Sequence, residues 1–323
     1  MHYMSEPWSK VMETEVRVVL KATGFMCLVV VGIPANLCVL IIFFRLRFFL
    51  GRLPPNDFIL SNLAAVNLVV LLCRSLPQTL FALGVRHFMN DWGCKVVIFA
   101  YRMARAMSIC ITALLGCYQS VSVAPTTPHW TLLKRHLPTH LLNAIIIFCI
   151  INASVCYGAI IYPQAPPTNG SIPEFTMNLE FCLVVYPGPL TYLVNGITLT
   201  MRDMFFVAVM VLAAVYMLLI LYRHRQQVKG LQGASKASVG ASQAVLLLVC
   251  TYMALFTLEN VLWGYSLSVP QVMPVISETR VFFASCYSAL SPVLIISTNR
   301  RLAENFQCST CKKKGEGESK PGV

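Results

Sequence analysis

The sequence predicts an all-α protein, a bundle of seven transmembrane helices with its N-terminus outside the cell and its C-terminus in the cytoplasm. Of its 323 residues, 57% are hydrophobic and only 12% are charged, and the mean hydropathy is +0.68. A soluble domain carries roughly a quarter of charged residues. The chain also contains seven apolar runs, each long enough to cross a bilayer as a helix, which takes about 20 residues. These observations exclude a soluble enzyme, a disordered chain and a nucleic-acid-binding domain.

The predicted spans are bounded mainly by charged residues and prolines. Basic residues at 45–52 and two prolines follow the first span, and further prolines follow the third and fourth spans. The basic segment 223–229 follows the fifth span. In lipid a helix satisfies its own backbone hydrogen bonds, so each run is assigned as a helix. The seven runs are Val18–Phe44, Asp57–Leu83, Cys94–Val123, Leu141–Tyr162, Thr198–Tyr222, Ser242–Gly264 and Ile276–Ser297.

The distribution of positive charge predicts the orientation of the bundle. With the N-terminus outside, the inner segments hold fifteen Lys and Arg residues and the outer segments hold four. The cytoplasmic loops of membrane proteins carry such an excess of positive charge. The net charge of +12 therefore reflects the orientation of the chain in membrane lipid, and we expect no nucleic-acid partner. The chain then divides into an extracellular segment 1–17, a transmembrane domain 18–298 and a cytoplasmic tail 299–323. Glu6, Glu13 and Glu15 precede the first span, which predicts no cleaved signal peptide.

Cysteines and a sequon on the outer face agree with this topology. Cys94 opens the third span and Cys182 lies in the loop between the fourth and fifth spans, so both face the oxidising side, where disulfides persist. A bond between them would fix the second outer loop across the third helix. The same loop carries an N-glycosylation sequon at Asn169.

The predicted cytoplasmic tail begins with a stretch that can form a short amphipathic helix at the membrane surface, Arg300–Phe306. Cys308 and Cys311 follow it, and juxtamembrane cysteines are palmitoylation candidates. Two unmodified thiols are an equally good interpretation.

Charged residues within the predicted spans are the main functional signal. Ions in lipid are costly and usually functional, and those in the outer half of this bundle are Arg74, Arg102, Arg105, Arg202, Asp203 and Glu259. Arg102 and Arg105 are three residues apart and share one helix face. In one interpretation the ions pair with one another, for example Arg105 with Glu259, and only hold helices together. In the other they form a cavity whose surplus positive charge binds a small anion, since the guanidinium fork suits carboxylate and sulfate groups.

Two asparagines and a proline within the spans have predicted structural roles. Asn36 and Asn67 lie at mid-depth in the first two spans and are expected to hydrogen-bond between helices. Pro292 can kink the seventh helix.

Enzyme motifs do not occur in the sequence. Neither G-x-S-x-G nor H-E-x-x-H is present, and the histidines lie in loops or at span ends, so we expect no catalysis, no metal and no cofactor. A transporter of small organic anions remains the alternative to a receptor, although no internal repeat supports it.

Motifs in the first two spans resemble those of rhodopsin-like G-protein-coupled receptors. GIPANLCVL (32–40) contains Asn36, which matches the near-invariant asparagine of that family, and LSNLAAVN (60–67) places Asn67 where most members have a sodium-coordinating aspartate. Other family motifs differ: Tyr118-Gln119-Ser120 stands in place of Asp-Arg-Tyr, and residues 291–295 replace Asn-Pro-x-x-Tyr. The arginine lock and the sodium site are therefore not expected here.

These departures resemble one branch, the vomeronasal type-1 receptors and the olfactory receptors called class A-related. The similar segments are YRMARAMSICITALLGCYQSVSVAP (101–125), LYRHRQQV (221–228), Arg202-Asp203 before an apolar run, and SPVLIIS (291–297). The resemblance implies a receptor for pheromones or other small chemical cues in the plasma membrane of chemosensory neurons. It also implies signalling through a heterotrimeric G protein of the inhibitory type.

A mechanism follows as a hypothesis. A small organic anion enters from outside and binds Arg102 and Arg105, with Arg74, Arg202 and Glu259 nearby. Gln119 lies 14 residues beyond Arg105, roughly 21 Å along the helix axis, so one rigid helix joins the two sites. The residues expected to meet the G protein are Gln119, Ser120, Arg223, His224 and Arg225.

Overall fold

The structure is a computed structural model that describes residues 6–86, 88–125, 127–166, 175–228, 236–268 and 274–298. Side chains are described from residue 18 onward in these ranges, except at 50, 224–228, 236–242, 263–264, 266–268, 274–275, 277–278 and 298. Within these ranges seven helices are long and apolar enough to span a bilayer, which confirms the predicted seven-helix bundle.

The helices occur along the chain in the same order as the predicted spans. The helices are α1 (Glu6–Leu50), α2 (Pro55–Val70), α3 (Leu76–Ala82), α4 (Asp91–Val123), α5 (Pro128–Val155), α6 (Gly158–Ile161), α7 (Pro189–Val228), α8 (Lys236–Ser268) and α9 (Pro274–Thr298). The described residues between α6 and α7 form three short strands: β1 (Pro163–Gln164), β2 (Thr176–Asn178) and β3 (Leu183–Val185). They pair antiparallel in the order β1-β3-β2. We call the end of the bundle that holds these strands the outer end, after the predicted orientation.

The second span consists of α2 and α3 joined by a π-helical turn, Leu71–Ser75. Pro77 follows this turn. Its ring clashes with the carbonyl group four residues earlier in a regular α-helix, and a wider turn relieves that clash. The span therefore continues without a break from Pro55 to Ala82.

The fourth span differs from its prediction. The sequence predicts Leu141–Tyr162, whereas the helix runs from Pro128 to Val155. Pro128 occupies the first helical turn, where its fixed φ suits helix initiation, and the polar segment after it continues the same helix. At the other end the helix stops at Val155, and the separate turn α6 precedes the strands. The prediction from hydrophobicity began the helix too late in the chain, because the first turns of the helix are polar and were not recognised as part of the span.

Helix α4 is the centre of the bundle. It contacts α2, α5, α7 and α8. In its most apolar stretch of 18 residues 72% of the residues are buried, compared with 17% in the corresponding stretch of α5. Leu63, Leu115, Met210 and Leu248 are almost completely buried in the core around it. The polar side chains Ser108, Thr112, Gln119 and Ser120 of α4 are buried, so they face other helices rather than lipid.

Close packing of α1 requires a glycine. A Cβ atom on Gly32 would lie 2.6 Å from Leu71 Cδ1 and 3.0 Å from the Ala289 Cα. The missing side chain lets α1 approach both the second span and α9. The Gly32 carbonyl oxygen accepts a hydrogen bond from Asn36 Nδ2 at 2.8 Å.

A disulfide fixes the strands over the outer end of α4. The predicted bond between Cys94 and Cys182 is present, with Cα atoms 5.8 Å apart. The loop is also tied to the first two spans, because Glu180 accepts hydrogen bonds from Lys21 and Gln78. The loop thus covers part of the outer end of the bundle.

Candidate ligand site

A cavity of about 180 Å³ opens between α4, α7, α8 and α9 at the outer end, with Met177 from β2 beside it. Four arginines and two carboxylates line it, so its formal charge is positive. These residues are Arg102, Arg105, Arg202, Asp203, Glu259 and Arg280. The sequence-predicted ligand residues on α4, α7 and α8 are thus brought together.

Arg105 and Glu259 form an ion pair between α4 and α8. Arg105 Nη2 donates to Glu259 Oε2 at 2.5 Å, and the two side chains are 19% and 17% exposed. A second pair lies within α7, where Nε and Nη2 of Arg202 donate to Asp203 Oδ1 at 2.9 and 2.7 Å. In both pairs, a cation of the cavity already has a carboxylate partner.

Arg102 has different partners. Its Nη1 donates to Asn195 Oδ1 at 3.3 Å and its Nη2 donates to the Tyr186 hydroxyl at 3.1 Å. Both acceptors are neutral. The side chain is half-buried and lines the cavity, so its positive charge faces that space.

Arg74 lies outside the lining of this cavity. It is 4% exposed, and its guanidinium carbon lies 5.6 Å from the centroids of both the Tyr101 and Phe181 rings. Its Nε and Nη1 atoms have no hydrogen-bond partner. Tyr101 itself lines the cavity, so Arg74 lies next to a lining residue without being one.

Below the cavity, Asn67 joins three helices in a neutral hydrogen-bond network. Its Oδ1 accepts from Ser108 at 2.7 Å and from Ser288 at 3.3 Å, and its Nδ2 donates to Ser291 Oγ at 2.7 Å. Asn36 Nδ2 donates to the Ser288 carbonyl oxygen at 2.9 Å. Pro292 lies inside α9, next to Ser291.

At the inner end of α4, the residues predicted to meet a G protein are buried. Gln119 is 5% exposed and donates from Nε2 to Asn56 Oδ1 at 2.7 Å. Ser120 Oγ lies 2.8 Å from the Gly116 carbonyl oxygen and 3.0 Å from that of Ala213 on α7. Both side chains are therefore engaged within the bundle.

The other predicted functional residues lie at the inner end of α7, in the outer loop and in the tail. Arg223 is exposed on α7. His224 and Arg225 belong to the same helix, but their side chains lie outside the described part of the chain. Asn169, Cys308 and Cys311 also fall outside the described residues.

Comparison with known proteins decides the family. Residues 20–308 match the sequence profile of the vomeronasal organ pheromone receptor family. The chain belongs to this family. As a member of it, the protein is a chemosensory receptor of the vomeronasal or olfactory type and a multi-pass membrane protein.

Curated relatives cover almost the whole receptor. Olfactory receptor class A-like protein 1 of Danio rerio is 42% identical over 304 residues, which are 93% of this chain and 96% of that protein. Vomeronasal type-1 receptor 48 of Mus musculus is 29% identical, covering 84% of this chain and 91% of its own length. Vomeronasal type-1 receptor 4 of Homo sapiens is 27% identical, over 83% of this chain and 90% of that protein.

Among the residues that sequence reasoning missed, three bear most directly on the charge of the site: Arg280, Tyr186 and Asn195. Arg280 lines the cavity from α9, and its position inside an apolar run was a usable signal. Tyr186 and Asn195 contact Arg102 from the loop and from the start of α7. Nothing in the local sequence marks these two residues, because their role depends on how the disulfide-linked loop folds back.

Proposed function

We propose that this receptor detects small organic anions from outside and activates a heterotrimeric G protein of the inhibitory type, in the plasma membrane of chemosensory neurons. The observation that carries the proposal is the excess of arginines over carboxylates in the outer cavity. Guanidinium groups bind carboxylate and sulfate through charge-assisted hydrogen bonds, which are roughly twice as strong as neutral ones. Amines would be repelled by the same charge.

The size of the cavity supports a small ligand. Its volume is about 180 Å³, and an apolar cavity of about 150 Å³ in another protein accommodates benzene. Phe256 and Leu199 add apolar surface beside the charged groups. A compact hydrocarbon body with one anionic group satisfies both features.

Helix α4 is the proposed connection from ligand to G protein. It runs from Asp91 to Val123, carries Arg102 and Arg105 beside the cavity, and carries Gln119 and Ser120 at its inner end. A ligand shifts the receptor between arrangements only through unequal affinity for them. In the active arrangement the inner end of α8 moves outward, and Gln119, Ser120 and the basic end of α7 become accessible to the G protein.

A signalling assay on cells that express the receptor tests the proposal. The panel contains carboxylic acids, sulfated steroids, amines and neutral odorants, and the readout is activation of a co-expressed inhibitory-type G protein. We expect responses to acids or sulfates. Responses to amines alone would contradict the proposal.

A further inference from the structure

The arginines that line the cavity differ in the charge of the groups that they already contact. Arg105 is paired with Glu259 on α8, and Arg202 is paired with Asp203. A ligand anion that took either guanidinium would leave a buried carboxylate without its cation, which is strongly unfavourable. Arg102 has no such obstacle, because the groups that accept its hydrogen bonds are neutral oxygens of Tyr186 and Asn195.

The contacts of Arg102 also leave part of its guanidinium available. The two acceptor oxygens lie 3.2 Å apart. The Asn195 oxygen accepts one hydrogen bond from Nη1, and the Tyr186 oxygen accepts one from Nη2. A guanidinium has five N–H donors in a planar fork, so Nε–H and one terminal N–H on the neighbouring edge remain for a bidentate carboxylate. None of the nitrogens of Arg102 is among the buried atoms without a partner.

We infer that Arg102 is the residue that binds the anionic group of the ligand, that Tyr186 and Asn195 are its positioning residues, and that the Arg105–Glu259 pair stays formed when the ligand binds. This inference rests on the proposed function and specifies the ligand class as a small monoanion. The Tyr186 hydroxyl accepts from Arg102 and donates to Asn195 Oδ1, so the three groups orient one another. They come from α4, from the segment after β3 and from α7, and the anion site is complete only when the outer loop is in place.

The test compares acids with their neutral analogues. The probes are hexanoate, cyclohexanecarboxylate and benzoate, each beside its primary amide, together with the panel used for the proposed function. The readout is the ratio of acid potency to amide potency in G-protein activation, at matched surface expression. A residue with a purely structural role changes both potencies together, whereas the residue that binds the anion changes their ratio.

The variants separate the candidate arginines. They are Arg102→Gln, Arg102→Lys, Arg280→Gln, Tyr186→Phe and the double variant Arg105→Gln/Glu259→Gln. Arg86→Gln is the matched control, because Arg86 is exposed and stacks on Phe81, outside the cavity. Arg102→Lys keeps the positive charge and loses the fork, so it also guards against misfolding of the glutamine variant.

We expect Arg102→Gln to lower acid potency by about tenfold or more with the amide little changed, as loss of charge-assisted hydrogen bonds predicts. Arg102→Lys and Tyr186→Phe should lower the ratio less, and the double variant and the control should preserve it. Preservation of the ratio in Arg102→Gln would overturn the inference, as would its loss only in Arg280→Gln or in the double variant. If the wild-type receptor activates the G protein with amines or neutral odorants and no acid, the proposed function fails, and the inference fails with it.

Discussion

At the scale of single residues, the pair formed by Arg105 and Glu259 connects the two helices that flank the cavity. Both side chains are mostly buried, so neither charge is well compensated by water once its partner is removed. Breaking a buried pair from one side costs about 3–5 kcal/mol, while replacing both partners costs much less. The pair therefore makes the packing of α4 against α8 sensitive to either single substitution.

Glu259→Gln and Arg105→Gln should each lower the free energy of unfolding by about 3 kcal/mol, the lower end of that range, since some solvent reaches both groups. The double variant should lose less than the sum of the two. Thermal unfolding of the detergent-solubilised receptor measures the three values, with Arg86→Gln as a control. Additive losses would show that the pair is not coupled.

Asn67 carries a second prediction at this scale. Its acceptor oxygen is taken by two serine hydroxyls and its amide donates to a third. A neutral group whose hydrogen bonds are satisfied offers a sodium ion no carboxylate ligand. We expect ligand potency to be unchanged when sodium chloride is replaced by N-methylglucamine chloride at constant ionic strength. A reproducible shift in potency with sodium would contradict this account.

Residue patterns predicted which polar side chains are buried and, in one interpretation, the pair of Arg105 with Glu259, but they did not predict the partners of Arg102. Arg102 and Arg105 share a helix face, and the sequence therefore assigned both to the ligand. Their partners differ because Glu259 lies opposite one and the folded loop brings Tyr186 to the other. That difference depends on tertiary packing, which spacing along one helix does not encode.

At the scale of elements, α4 places its functional side chains on one face. Arg105, Ser108, Thr112 and Gln119 follow one another at helical spacing and each contacts another helix: Glu259, Asn67, Tyr287 and Asn56 respectively. The hydrogen bond from Gln119 to Asn56 closes the inner end of this series. It holds α4 against α2 in the arrangement that the structure describes.

Loss of that contact should raise signalling without ligand. Asn56→Ala removes a hydrogen bond worth about 1 kcal/mol, which shifts a two-state equilibrium about fivefold. Basal nucleotide exchange on the G protein, at equal receptor density, is the measurement. Asn62→Ala is the matched control, because Asn62 lies on the same helix and bonds to its own backbone at Phe58. Equal basal activity in Asn56→Ala and wild type would refute this role for the contact.

The second outer loop carries the disulfide and part of the proposed anion site. Removing the bond with Cys94→Ser and Cys182→Ser should cost about 2–4 kcal/mol, because the bridge closes a long loop. It should also lower acid potency more than amide potency, since Tyr186 lies close after Cys182. Cys27→Ala, at an exposed free cysteine, is the control. Unchanged stability and selectivity would contradict the role given to the loop.

Element positions were largely predictable where apolar runs are long, even where charged residues lie within them, as in the third and fifth spans. The first, third and fifth predicted spans fall within α1, α4 and α7. The start of α5 was missed because charged residues continue a helix past the apolar core. The three strands were missed because pairs and triplets of residues are too short to show a period.

At the scale of the whole molecule, the outer cavity and the inner end of α4 are parts of one bundle. Between them lie the Arg105–Glu259 pair, a small cavity that Tyr252 and Tyr287 line, and the Asn67 network. These contacts give the ligand a physical route to the inner end. The tyrosine-lined cavity and the Asn67 network are places where the two arrangements can differ, whereas the Arg105–Glu259 pair is common to both.

The central claim is that anion binding in the outer cavity activates a G protein rather than moving the anion across the membrane. Purified receptor in sealed vesicles, with an inhibitory-type G protein on the side of the basic segments, allows both outcomes to be measured with the same acid. We predict that the acid accelerates nucleotide exchange on the G protein and does not accumulate inside the vesicles. Uptake of the acid with no change in nucleotide exchange would contradict the account.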